Sequence, residues 1–480
     1  MKMEKAAKTA VVLFFAAITI FGLSGSSLYG LPQASMELQD AAVYAPLTFA
    51  LEHHPLYENK ILWQGYTWLV FMAGLYALYA FSRETGVGRI FSCLGVMAMY
   101  FCPRFFAQGH YSRAMVLLSL LLCLLWQGVR FLKKPNVFRA VWFAAAGALA
   151  VNVSPAAGIV WAAFLACAIL MLTAQKAWNG KTIAGAAVSA VLFAALVLLV
   201  GAASQEGSMQ TAAVLFRSHV YDPAVNPLPW YAIFWMAAIT TPLFVGPLTL
   251  CGQIAVGRRV WEKRAEVLRD PVTYALVSAS LCWIVPLVWA MFQPQISHSW
   301  QTVCFFNAGM VVLMARGVMG AYHFGRHFGG DCGMHIVFAA GLLLFFGWTA
   351  RDISRNQPYE YAYFNRLGHN VAVRQMMLDE ENVSAFNALK TLLEAERNTE
   401  HPLVVGAADP MSRKDLEAAW TMLPAEQQKK LSIESAQDAP YLFANTSYFR
   451  LNRCRIPRGY HKLFELKSYD LIICTVYEKN

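Results

Sequence analysis

The stretch AMVLLSLLLCLLWQGVRFLKKPNVFRAVWFAAAGALAVNVSPAAGIVWAAFLACAILMLTAQK (residues 114–176) contains three apolar runs and decides the class of fold. The first and third runs, 114–132 and 157–175, approach the ~20 residues that a helix needs to cross a bilayer. Cations separate the first run from the second, at 139–153, and Lys176 follows the third, whereas no cation separates the second from the third. This alternation is typical of a protein that crosses a membrane repeatedly and keeps its cations on one side.

The same pattern covers most of the chain. About eleven apolar spans are predicted, at residues 6–24, 61–81, 90–103, 114–132, 139–153, 157–175, 182–203, 229–256, 272–292, 302–321 and 334–350. If the N-terminus lies inside, the outer loops of this region hold only four cations, which are Lys60, Arg104, Arg113 and Arg217. The excess of inner cations predicts a cytoplasmic N-terminus and an extracytoplasmic chain from residue 351 onward, in the plasma (inner) membrane.

Composition agrees with a membrane protein and excludes nucleic acid as a partner. Hydrophobic residues make up 57% of the chain and charged residues 14%, against about a quarter charged in soluble domains. The formal net charge of +10 comes from the membrane region, because residues 351–480 hold equal numbers of basic and acidic residues. The basic residues therefore indicate membrane topology and contact with anionic lipid.

Two units are predicted. Residues 1–350 form a transmembrane domain with a large first outer loop at 24–60, and residues 351–480 form a small α+β domain. The second unit has helical spacing over Glu380–Arg397, short strands at Leu403–Gly406 and Ala439–Ala444, and a closing hairpin over Tyr460–Tyr477. Residues 6–24 fit either an uncleaved first helix, which we favour, or a signal peptide.

Three outer loops carry more polar residues than a connection requires. Glu37 and Asp40 are three residues apart in the first loop, so a helical turn there would place both carboxylates on one face. A carboxylate at the rim of a low-dielectric cleft has a raised proton affinity and can act as a general base. Arginine can bind a leaving phosphate through paired hydrogen bonds. The alternative is that these groups are ordinary solvated loop charges.

We assign roles to these residues as hypotheses. The candidate catalytic residues are Glu37 and Asp40. The candidate donor-phosphate ligands are Arg104, Arg113, His110 and Tyr111. Further candidate substrate ligands are Arg217, His219, Asp222, His298 and Gln301. No metal-binding motif occurs in the sequence, and whether a divalent ion assists the reaction stays open.

Four segments resemble the GT-C membrane glycosyltransferases, in particular the bacterial proteins similar to protein O-mannosyltransferases (family 39). They are PRFFAQGHY (103–111), PWYAIFWMAAITTPL (229–243), QPYEYAYFNRLG (357–368) and YHKLFELKSYDLIICTVYEK (460–479). The resemblance implies inverting transfer of a sugar from a polyprenyl-phosphate donor to an extracytoplasmic acceptor, with Glu37 or Asp40 as the base.

The sequence also departs from that family. Glu37 and Asp40 replace an adjacent acidic pair, Ser112-Arg113 replaces an Asn followed by Lys-Asp, and the segment 297–302 lacks the usual Arg-His. A non-catalytic GT-C-like scaffold or lipid-binding protein is therefore the second hypothesis. A secondary transporter is the third, although the chain shows neither internal repeats nor ionisable groups at mid-membrane.

Overall fold

Long apolar helices form most of the structure, a computed structural model that describes much of the chain. The described residues are 60–102, 113–154, 156–203, 245–292, 300–355, 383–396, 401–421, 423–434, 439–446, 455–468 and 471–480, with scattered positions in 9–16 and 230–241. In the membrane region the helices are α1 (Lys60–Glu84), α2 (Arg89–Tyr100), α3 (Arg113–Lys133), α4 (Val137–Val153), α5 (Ala157–Gln175), α6 (Gly180–Ala203), α7 (Val245–Lys263), α8 (Pro271–Phe292) and α9 (Trp300–Arg355), with a 3-10 helix at Arg264–Arg269.

The predicted fold class, a polytopic α-helical protein with a small C-terminal α+β domain, is confirmed. Within the described residues, five helical segments are long and apolar enough to cross a membrane, and three shorter ones are also apolar. Their outward surfaces carry apolar side chains: Leu198 is 72% and Phe292 82% exposed. Such surfaces are stable when lipid covers them.

The helix α9 contains two of the predicted spans. Gly330 interrupts it with φ 65° and ψ 174°, a conformation that glycine adopts without a Cβ clash. The rings of Tyr322 and Phe338, placed symmetrically about Gly330, are 5.3 Å apart, so the two halves fold back on each other. The second half continues as helix to Arg355, past the composition change at residue 350.

The centre of the bundle consists of α3 and the first half of α9. Within the segment Thr302–His327, 83% of the most apolar 18-residue stretch is buried. Glycine lets neighbouring backbones approach α9 closely: a Cβ added to Gly309 would lie 2.7 Å from the carbonyl oxygen of Ala279 in α8. Small residues at such contacts are the usual means of packing helices in lipid.

The α7 helix differs from the predicted span at 229–256. It continues to Lys263, because its last turns place Arg258 against Glu262 and Arg259 against Asp270 (2.7 Å). Positions between 229 and 244 are described only in part. Within them, Trp230 is 57% exposed and its ring lies 5.8 Å from that of Tyr231, as expected for aromatic residues at a lipid interface.

The C-terminal unit has its own core around a five-stranded sheet. Its elements are α10 (Val383–Ala395), β1 (Leu403–Ala407), α11 (Pro410–Thr421), α12 (Ala425–Gln428), β2 (Leu431–Glu434), β3 (Tyr441–Asn445), β4 (Tyr460–Ser468) and β5 (Leu471–Lys479). The strand order is β2-β1-β3-β5-β4, with β1 parallel to β2 and β3, and β5 antiparallel to β3 and β4. The predicted helix, strands and hairpin are present. The polar helix α11 and the four-residue strand β2 were not predicted.

A buried polar network joins α11 to the sheet. Asp409 caps the helix, accepting hydrogen bonds from the backbone N–H (2.9 Å) and hydroxyl (2.5 Å) of Ser412. The side chain of Asn445, at the end of β3, donates to Asp415 (3.0 Å). Each buried oxygen in these bonds has a donor, so the network stabilises the connection between β1 and β3.

Candidate active site

Cations gather at one end of the helical bundle, which we call the basic end. The residues that define this end are the cations Lys133, Arg139 and Arg259, together with the carboxylates Glu84 and Asp270, which pair with Lys133 and Arg259 respectively. Lys133 pairs with Glu84 at 2.6 Å, which joins the ends of α3 and α1. Arg139 at the start of α4 donates to the carbonyl oxygen of Arg130 (2.7 Å). These contacts show that the cations sorted to one side in the sequence also meet in space.

A carboxylate network fixes the basic end where α7 meets α8. Arg259 donates to Asp270 (2.7 Å), Lys263 pairs with the same oxygen (3.0 Å), and the hydroxyl of Thr273 donates to it (2.5 Å). Burial raises the pKa of Asp270, but these hydrogen bonds together outweigh burial and lower the pKa to about 2. Asp270 is therefore an anion at neutral pH and locks the start of α8 to the end of α7.

Arg316 contributes to the same end from within the bundle. Its guanidinium donates to the carbonyl oxygen of Thr85 (3.2 Å), just beyond the end of α1. The side chain is half-buried among protein groups. Arg316 therefore ties α9 to α1.

Contacts along α7 and α9 establish which helix ends lie opposite the basic end. Thr249 of α7 donates to the carbonyl oxygen of Met310 in α9 (2.9 Å), and Gly252 approaches Leu313. The two helices therefore run parallel, and since α7 ends at the basic end, α9 begins at the opposite one. The α3 helix also begins there, because its last residue, Lys133, lies at the basic end.

Two predicted site residues can be located by their backbones. Arg113 begins α3 and Gln301 is the second residue of α9. These helices pack against each other, and both begin at the end opposite the basic end. The first backbone N–H groups of a helix have no partner within the helix, and the N-terminal end of a helix favours anions.

The other predicted site residues lie outside the described part of the chain. They are Glu37, Asp40, Arg104, His110, Tyr111, Arg217, His219, Asp222 and His298. Their roles, including the proposed approach of Arg104 to a first-loop carboxylate, stay predictions. Among the described residues, no group of three or more His, Cys, Asp or Glu side chains could hold a metal ion.

One buried polar side chain near the start of α9 was not predicted from the sequence. Asn307, in the third turn of α9, is 1% exposed. In the sequence, the residue is visible only as a single amide inside the apolar run TVCFFNAGM (302–310). The spacing of residues does not show whether such an amide is hydrogen-bonded to a neighbouring helix. Thr302, one turn closer to the helix start, is also buried.

Comparisons with known proteins gave matches among solved structures alone. No protein-family model matches the chain, and no curated protein matches it. The chain is similar to the crystal structure of ArnT from Cupriavidus metallidurans bound to undecaprenyl phosphate, with 13% identity, a TM-score of 0.47, and coverage of 98% of each chain.

Proposed function

We propose that the protein transfers a sugar from a polyprenyl-phosphate donor to an extracytoplasmic acceptor, which is a glycan, lipid or protein of the cell envelope, with inversion at the anomeric carbon. The proposal rests on one observation. The helices α3 and α9 run in the same direction, and both begin at the end of the bundle opposite the basic end. Both Arg113 and Gln301 lie in these first turns, and in the sequence they follow the segments that contain Arg104, His110, Tyr111 and His298.

The chemistry requires a base and an anion-stabilising group. Glu37 or Asp40 would take the proton from an acceptor hydroxyl, whose oxygen then attacks the anomeric carbon from the face opposite the phosphate. The bond between that carbon and the phosphate oxygen breaks, and the lipid phosphate leaves with the electron pair. Arg113 and Arg104, together with the first-turn N–H groups of α3 and α9, would stabilise the phosphate charge.

The apolar surface of the bundle supports a lipid-linked donor. A polyprenyl chain needs an apolar environment, while its phosphate needs cations at the membrane surface. Helices such as α6, with Leu199 70% exposed, supply the first. The few cations predicted on the outer side supply the second.

Substitution of Arg113, with a cation at the basic end as control, tests the proposal. The Arg113→Ala variant should lose about 10²-fold in transfer rate, as when one anion-stabilising donor is removed. The Arg258→Ala variant should keep its activity, because Arg258 is exposed and pairs only with Glu262 of its own helix among the groups the structure describes. The assay follows labelled sugar released from undecaprenyl-phosphate sugars by the purified protein.

Three results are informative. Loss of transfer only in the Arg113→Ala variant supports the proposal. Equal transfer by both variants would remove Arg113 from the phosphate site. Binding of undecaprenyl phosphate without transfer by the unmodified protein, for every sugar and acceptor tried, would instead favour the non-catalytic, lipid-binding hypothesis.

A further inference from the structure

Asn307 is a fully buried amide side chain in a membrane helix. It lies in α9, the most buried apolar segment described, and is 1% exposed. Its amide oxygen has no hydrogen-bond partner in the structure. In lipid or protein interior no water is available to replace that partner.

Polar side chains in membrane helices usually bond to a neighbouring helix and thereby stabilise the bundle. Thr249 behaves in this way: its hydroxyl donates to the carbonyl oxygen of Met310, one turn from Asn307, at 2.9 Å. Asn307 makes no comparable bond through its oxygen. An unsatisfied buried acceptor is destabilising, so its contribution to the folded state does not explain its presence.

Asn307 lies close enough to the start of α9 to be reached by a ligand that enters from the end opposite the basic end. It lies seven residues after Trp300, about 10 Å along the helix axis at 1.5 Å per residue. That places it below Gln301 and within the half of the bundle where the proposed donor would bind. Phe306, its chain neighbour, packs edge-on against Trp283 of α8, with ring centroids 6.2 Å apart.

The type of unsatisfied atom restricts the ligand. An amide oxygen only accepts hydrogen bonds, so its partner must be a donor. An ionised phosphate has only acceptor oxygens and does not qualify. A sugar hydroxyl does. Trp283, which packs against Phe306, has a ring N–H that is a buried donor and also has no hydrogen-bond partner in the structure.

We propose that Asn307 is a specificity residue whose amide oxygen accepts a hydrogen bond from a hydroxyl of the sugar carried by the lipid phosphate. This inference rests on the proposed function. The residue would contribute to the binding of the glycosylated donor and not to the binding of the bare lipid phosphate.

Binding measurements with two kinds of lipid separate these contributions. The purified full chain is titrated with undecaprenyl phosphate and with undecaprenyl phosphate carrying mannose or glucose. The unmodified protein should prefer at least one glycosylated lipid. The Asn307→Leu variant should reduce that preference about tenfold, equivalent to about 1.4 kcal/mol, with the affinity for bare undecaprenyl phosphate unchanged within about twofold.

Stability provides the second readout. Asn307→Leu keeps a side chain of similar size and removes an unsatisfied polar group, so its unfolding temperature should equal or exceed that of the unmodified protein. The matched control, Thr249→Val, removes a satisfied bond: it should lower the unfolding temperature and keep the sugar preference. Asn307→Ala decides the binding result if the leucine variant does not fold.

The outcomes distinguish this inference from the proposed function. If the unmodified protein binds neither kind of lipid, the proposed function is wrong and the inference falls with it. If it binds bare undecaprenyl phosphate but prefers no glycosylated form, or if the Asn307 variants keep the preference, only the inference is overturned. A lower unfolding temperature with unchanged preference would assign Asn307 a structural role.

Discussion

Replacement of Gly317 by alanine should separate α7 from α9. A Cβ at this position would lie 2.8 Å from the backbone nitrogen of Gly252, 2.9 Å from the carbonyl carbon of Leu248, and closer still to the carbonyl oxygen of Leu248. All three atoms belong to the backbone of α7, so no side-chain rotation relieves the clash. Favourable contact requires about 3.5 Å, and the helices must therefore move apart by about 0.7 Å or more.

Two costs follow from this movement. Overpacking of a close contact destabilises by about 1–3 kcal/mol. The hydrogen bond from Thr249 to Met310, now 2.9 Å long, would stretch beyond the range of an effective bond, which adds about 1 kcal/mol. The free energy of unfolding should fall by about 2–4 kcal/mol in total.

The assay is thermal unfolding of the purified protein in detergent, followed by the fluorescence of its 14 tryptophans. The control is Gly320→Ala in the same helix, where an added Cβ would meet no atom within 4 Å. That variant should be neutral or slightly more stable, since alanine favours helix more than glycine does.

A double variant tests the mechanism. If Gly317→Ala already breaks the Thr249 bond, then adding Thr249→Val should cost clearly less than Thr249→Val alone. Equal stability of the Gly317→Ala and Gly320→Ala variants, or fully additive effects of Gly317→Ala and Thr249→Val, would refute the close contact between α7 and α9.

Three further predictions concern other parts of the protein. Asp270→Asn should lower the free energy of unfolding at neutral pH by about 2 kcal/mol, because the folded-state pKa of about 2 lies below the ordinary value. In the unmodified protein this stabilisation is present above about pH 4 and is lost as the pH falls toward 2. Identical acid unfolding profiles of the two proteins would contradict the prediction. Glu37→Gln or Asp40→Asn should reduce transfer by about 10²–10⁴-fold if that residue is the general base, measured at unchanged binding of undecaprenyl phosphate; full activity of both would shift attention to Glu52 or Asp222. Ser447→Cys should react with an impermeant thiol reagent in intact cells, because the sequence predicts a cytoplasmic N-terminus followed by an odd number of spans. Reaction only after permeabilisation would reverse the predicted orientation.

The sequence predicted the helices of the membrane region well. Apolar runs about 20 residues long admit few alternatives, because a lipid-exposed backbone must satisfy its own hydrogen bonds. The ends of α3, α5 and α8 therefore lie within a few residues of their predicted positions. The observed helix ends differ from the predicted ones where polar side chains pair with residues beyond the apolar run, as Arg259 of α7 pairs with Asp270.

The C-terminal unit was predicted less completely. Its hairpin and central strands have strong apolar patterns, whereas α11 and β2 are short or polar and depend on contacts distant in the sequence. The pairing of β1 with β3 and the bond from Asn445 to Asp415 join positions about 30 residues apart or more in the chain. Local patterns do not specify such pairs.

Sequence by itself determined the class of fold and the alternation of the cations, because hydropathy and charge are properties of single residues. It also supplied the candidate loop residues, whose roles stay predictions. Only the tertiary structure decided which helices run side by side, that α3 and α9 begin at a common end, and that Asn307 keeps an unsatisfied acceptor while Thr249 does not. Whether a buried polar group is satisfied depends on atoms of another helix, and the spacing of residues along one helix contains no information about those atoms.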